Sequence, residues 1–91
     1  MNKLMKDKSG MTKTLKIVDT ELPKWYDGAK YTEGDIVTNP FSGQQAVLTD
    51  NELAMYDLIM GAQLVQDWKL TQKGLDWFRG ANARAYMILL D

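Results

Sequence analysis

The chain has 91 residues, a net charge of −1, 45 % apolar residues, and neither cysteine nor histidine. That length suits one small domain. The two missing residue types exclude a disulfide framework, zinc fingers, thiol nucleophiles and imidazole acid–base catalysis.

Charge is uneven along the chain. Residues 1–16 carry Lys3, Lys6, Lys8, Lys13 and Lys16 against Asp7, a local +4, while residues 17–91 carry six basic and eleven acidic side chains. We read residues 1–14 as a flexible basic arm and residues 15–91 as a single small α+β domain. An acidic body with a short basic tail is a poor nucleic-acid binder unless the tail does the binding, and the lysines read first as solvation. Leu15 to Val18 is a candidate strand. Thr20 to Lys30, with Pro23, Asp27 and Gly28, reads as loop.

A hairpin is expected next. Asp35 to Thr38 and Gln44 to Leu48 are β-prone runs separated by Asn39-Pro40-Phe41-Ser42-Gly43. Pro40 suits the first central turn position and Gly43 can take the positive φ that closes the loop. Gly34-Asp35 marks the turn into the first strand.

Residues 49–91 contain 23 apolar or aromatic residues out of 43, set at helical spacing. Thr49-Asp50-Asn51-Glu52 predicts a capped helix start, with Thr49 and Glu52 forming a capping box. That helix should run to about Asp67. A second is expected from about Leu70 to Arg79, stopped by Gly80, and a third from Ala83 to Leu90 capped by Asn82; the third segment also suits a buried strand.

On a helical wheel, Glu52, Gln63, Gln66 and Asp67 of the first helix share a polar arc with Tyr56 and Ile59, which makes that arc the expected solvent face. Asp57 falls in the opposite, apolar arc. It reads as a structural anchor that accepts hydrogen bonds from an indole, a tyrosine hydroxyl or the amides of residues 39–43, with a raised-pKa catalytic carboxylate as the rival reading. In the second helix Leu70, Thr71, Gly74, Leu75, Trp77, Phe78 and Ala81 form the apolar face, opposite Gln72, Lys73, Asp76 and Arg79. Gly61 and Gly74 suggest that the helices cross where their backbones come close.

Trp25, Tyr26, Tyr31 and Phe41 place aromatics in loops, where they can dock a partner or cover a small core. A helix-turn-helix reading of residues 54–80 would use Lys69, Lys73, Arg79 and Arg84 on phosphates, but Asp67 and Asp76 occupy the same region. The acids show no EF-hand spacing, so neither a metal nor a cofactor is expected.

At Asn39 to Gly43, Glu52 to Ala62, Gly74 to Arg79 and Ala85 to Asp91 the chain resembles small proteins of marine tailed phages, those infecting cyanobacteria and related ocean bacteria. The resemblance spans roughly residues 23–91. It brings no known activity, so no residue role carries over. It implies expression in an infected host's cytoplasm, and a task in virion assembly or in redirecting a host component.

The expected function is therefore non-catalytic: a small phage-encoded protein that binds a host or phage protein through Trp25, Tyr26, Phe41, Tyr56 and Ile59. Tyr56 and Ile59 are included because they interrupt the polar arc. The alternatives are a nucleic-acid-binding accessory protein using the basic arm, and a minor virion or assembly protein. A homo-oligomer would hide leftover apolar surface. No run of about 18 apolar residues and no signal-peptide pattern points to a membrane.

Overall fold

The computed structural model describes residues 20–91; the arm at 1–14 and the candidate strand Leu15–Val18 lie outside the described residues. Strand β1 (Asp35–Thr38) pairs antiparallel with β2 (Gln45–Leu48), and helices α1 (Asp50–Leu64), α2 (Trp68–Ala81) and α3 (Ala83–Leu89) follow. The arrangement is α+β.

Turn chemistry sets the hairpin. The Asn39 side chain accepts from the Phe41 N–H at 2.8 Å, and the Gly43 N–H donates to the Asn39 carbonyl at 2.8 Å. Gly43 takes a φ of +76°, the left-handed region that glycine enters without steric penalty. The register pairs Ile36 with Val47 and Val37 with Ala46. Strand alternation turns Ala46 and Leu48 inward and leaves Ile36 and Val47 exposed.

The capping box at the start of α1 is present in both directions. The Glu52 N–H donates to Thr49 Oγ1 at 3.2 Å, and the Thr49 N–H donates to Glu52 Oε1 at 3.0 Å. α2 starts under the Asp67 side chain, which accepts from the Leu70 N–H at 3.1 Å. Gly80 does not stop it, because α2 runs one residue further and ends at Asn82. Asn82 ends α2 and caps α3 at once, its side chain accepting from the Ala85 N–H at 3.0 Å. The last segment is thus a helix and not a strand.

Leu48, Met55, Ile59 and Phe78 are the largest fully buried side chains and form the core with Ala46 and Ala85. Each large one contributes on the order of 1.5–3 kcal/mol of burial. α2 buries Thr71, Gly74 and Phe78, as its wheel predicts.

For α1 the wheel misleads. The arc expected to face solvent is split: Gln63, Gln66 and Asp67 are exposed and Tyr56 is half-buried, but Glu52 is 3 % exposed and Ile59 is fully buried. Of the apolar residues on the rest of the wheel, Ala54, Met55 and Ala62 are buried, while Leu64 and Val65 are 85 % and 75 % exposed. The reason is that α1 is apolar around most of its circumference, so hydrophobicity gives little direction. Polar contacts decide instead. The Glu52 carboxyl faces inward because it accepts from the Thr49 N–H and, at 3.0 Å, from the Asn82 side-chain amide.

The two helical glycines also part company. A Cβ on Gly74 would lie 2.6 Å from Ile59 Cγ1 and 3.5 Å from Met55 Sδ, so α2 crosses α1 closely there. A Cβ on Gly61 would meet nothing within 4 Å, so no crossing uses it. Gly74→Ala is expected to lower stability by about 1–2 kcal/mol, an overpacking loss partly offset by better helix propensity. Gly61→Ala should raise stability by about 0.5–1 kcal/mol. Urea unfolding of both variants beside the parent checks the opposite signs.

Candidate functional site

A cleft of about 320 Å³ opens where the hairpin turn, α1 and the end of α3 meet. The turn supplies Pro40 and Phe41, α1 supplies Tyr56, Met60 and Gln63 at i, i+4 and i+7, and the C-terminal end supplies Leu89 and Leu90. Phe41 is 97 % exposed, a bare aromatic ring at the lip. Tyr56, Met60, Leu89 and Leu90 are half-buried and pack against the core below. The wall is held by Asn39, whose side-chain amide donates to the Ile88 carbonyl at 2.8 Å. One asparagine therefore shapes the turn and pins it to α3. Asn39, Gln63 and Asp91 add polar groups to the lining, so the cleft is mixed, with an apolar floor that can take up an apolar side chain.

The structure separates the other expected residues from this cleft. Ile59 is a core residue, so it forms no exposed surface with Tyr56. Trp25 and Tyr26 are half-buried and cover the helices. The Lys73 ammonium sits 4.8 Å from the centre of the Trp25 ring, and the Trp77 indole donates to the Glu21 carbonyl at 3.1 Å. The Tyr26 hydroxyl faces two carbonyls, Ala29 and Ala54. These contacts lash residues 20–31 across α1 and α2 and leave their aromatics little free face. Of the five expected binding residues, Phe41 and Tyr56 are brought together.

Asp57 is exposed, which overturns its expected place in an apolar pocket. The wheel misplaced it for the same reason that it misplaced Ile59. Its carboxylate accepts a hydrogen bond from the Tyr31 hydroxyl. That bond, and after it the Asp57 charge, raises the Tyr31 pKa above its ordinary value of 10.0. Burial first, and then the Asp57 charge, raises that of Tyr26.

A tyrosine whose pKa is raised by folding adds stability below its ordinary value and loses it as pH climbs through the raised one. Asp57→Asn is thus expected to lower the Tyr31 midpoint and to soften the alkaline loss of stability. Tyrosinate absorbance titrations of the parent, Asp57→Asn and Tyr31→Phe measure this. Superimposable curves for the parent and Asp57→Asn would mean that the contact is not made in solution.

Sequence reasoning missed three features. Glu52 as a buried link to Asn82 and Asn39 as a pin on Ile88 join positions 30 and 49 apart, a separation at which local pattern carries no signal. The third is the exposed run Leu64, Val65 and Trp68, at the turn between α1 and α2. Among the described residues no three acidic side chains are placed to hold a metal ion, and no helix is long and apolar enough to cross a membrane. None of the family models, curated proteins or solved structures compared with the chain matches it.

Proposed function

We propose that this chain is a non-catalytic protein–protein interaction protein that receives an apolar side chain of its partner in the Phe41–Tyr56 cleft. The observation that carries this reading is Phe41, a phenyl ring left 97 % exposed above a half-buried apolar floor. Aromatic anchors beside such a floor are where binding energy concentrates. The resemblance to marine phage proteins supplies the setting: a host or phage protein met in the cytoplasm of an infected bacterium.

Phe41→Ser is expected to leave thermal stability within about 0.5 kcal/mol of the parent, since the ring touches solvent on nearly every side. The same change should remove proteins that the parent captures from infected cells, read by quantitative mass spectrometry. A captured set that is identical with and without Phe41 would overturn the proposal. Tyr56→Ala should weaken capture in parallel.

A further inference from the structure

We propose that the chain's own residues 15–18 (Leu15, Lys16, Ile17 and Val18), which precede the described residues, dock onto the outer face of the hairpin. The contact lies at the opposite end of the two strands from the Phe41–Tyr56 cleft and does not depend on it.

The hairpin has one packed face and one bare face. Ala46 and Leu48 turn inward, and α1 and α3 pack against β2. On the other face Ile36 and Val47, partners across the two strands, are 56 % and 64 % exposed. A two-stranded hairpin of this length is marginal in water, and an added segment against its apolar outer face stabilises it. A shallow cleft of about 550 Å³ runs over these two residues, lined by residues 32–36 and 47–50. Its charged members are Glu33, Asp35 and Asp50, with no basic side chain in the lining. The surface therefore asks for an apolar segment that carries positive charge.

The place where the described residues begin supplies that segment. The Thr20 carbonyl accepts from the Asn51 side-chain amide at 3.2 Å, and Asn51 follows Asp50 of the cleft in the first turn of α1. Residue 19 is thus delivered beside the cleft. Val47 is four residues before Asn51, so it lies within about 14 Å, and residues 15–19 can span about 17 Å when extended. Leu15, Ile17 and Val18 are apolar, as Ile36 and Val47 require. Lys16 and Lys13 bring the opposite charge to the three carboxylates, in a stretch, residues 1–16, that carries five lysines against one aspartate.

Tethering decides between this occupant and any other. A segment held a few residues from its site acts at an effective concentration in the millimolar range, which a separate partner or a second copy must exceed. The same contact gives the lysines nearest the domain a role on its surface.

The test is nuclear magnetic resonance on the isotope-labelled full chain, at a low and a high protein concentration. Nuclear Overhauser cross-peaks from the Ile17 methyls to those of Ile36 or Val47 are expected, equally at both concentrations. Ile17→Ser and Val47→Thr, the second keeping strand preference, should each lower the thermal midpoint by about 4–8 °C. The double variant should fall no further than the worse single one, because both changes remove one contact. Phe41→Ser should keep the cross-peaks, so this contact and the partner cleft fail independently. Absent cross-peaks overturn the proposal, as do fully additive losses in the double variant. Cross-peaks that appear only at the high concentration also overturn it, since the segment would then be docking on a second copy.

Discussion

Replacing Glu52 by methionine is expected to lower stability by about 2–3 kcal/mol, whereas glutamine should retain most of what methionine loses. The two substitutes fill similar space but differ in the oxygen that Glu52 presents. Oε1 accepts from the Thr49 N–H and from the Asn82 amide, both at 3.0 Å, in a side chain only 3 % exposed. Methionine removes that acceptor, breaks one half of the capping box, and leaves the Asn82 amide facing an apolar interior. An unsatisfied buried donor costs about 1–3 kcal/mol, and a lost cap about 1 kcal/mol. The damage should not stay on α1. Asn82 ends α2 and caps α3 with the other half of its amide, so α3 should also fray. Equilibrium unfolding of both variants gives the magnitudes, and amide exchange at Ala85 and Tyr86 reports on α3. Equal losses for methionine and glutamine would mean that the link contributes packing alone.

How much of this was legible in the sequence depended on the range of the signal. Thr49 with Glu52, Asn82 before Ala83, and Pro40 with Gly43 each declare themselves within a few residues, and those elements start where they were expected, though α1 ends at Leu64 and not near Asp67, which caps α2 instead. α2 was legible because Gln72, Lys73, Asp76 and Arg79 mark a polar side. α1 has no comparable mark. With Leu53, Leu58, Met60, Leu64 and Val65 spread around it, the scarce polar residues carried the whole expectation, and Glu52 is polar because it makes a buried link. Nothing local announces that link, since its partner lies 30 residues away. Ile59 and Asp57 then exchanged roles, although Ala54, Met55 and Ala62 are buried and Gln63 is exposed as the wheel has them.

The candidate site was legible in part for a related reason. A phenylalanine in a Pro-Phe-Ser-Gly turn reads as exposed from the turn chemistry alone, and Phe41 is. Trp25 and Tyr26 occupy a loop just as plausibly, but the loop is lashed down by Trp77, Lys73 and Ala54, contacts 28 to 56 residues distant where bonded. The exposed Leu64 and Trp68 were hidden by the opposite effect. A pattern shows that residues are apolar, and only the packed fold shows that, among the described residues, these two are left exposed at the helical turn.

Gly34→Ala is expected to cost about 3 kcal/mol or more, the most severe outcome available from a single added methyl group. A Cβ at this position would fall 1.9 Å from the Leu48 carbonyl oxygen, 2.9 Å from its carbon and 3.0 Å from Thr49 Cα. These are backbone atoms, so no side-chain rotation relieves the overlap. Leu48 is 1 % exposed and in the core, and Thr49 caps α1, which leaves the neighbours nowhere to retreat. Either β1 moves away from β2, opening the Asp35–Leu48 pair, or Thr49 shifts and the capping box is lost. Overpacking that forces backbone displacement ordinarily costs 1–3 kcal/mol, and here it adds about 1 kcal/mol for the disturbed cap. Thermal unfolding followed by circular dichroism should show a lower midpoint. Amide exchange at Leu53, whose N–H donates to the Thr49 carbonyl at 2.8 Å, should quicken along with the hairpin. A Gly34→Ala chain as stable as its parent would mean that the turn does not pass this close to Leu48.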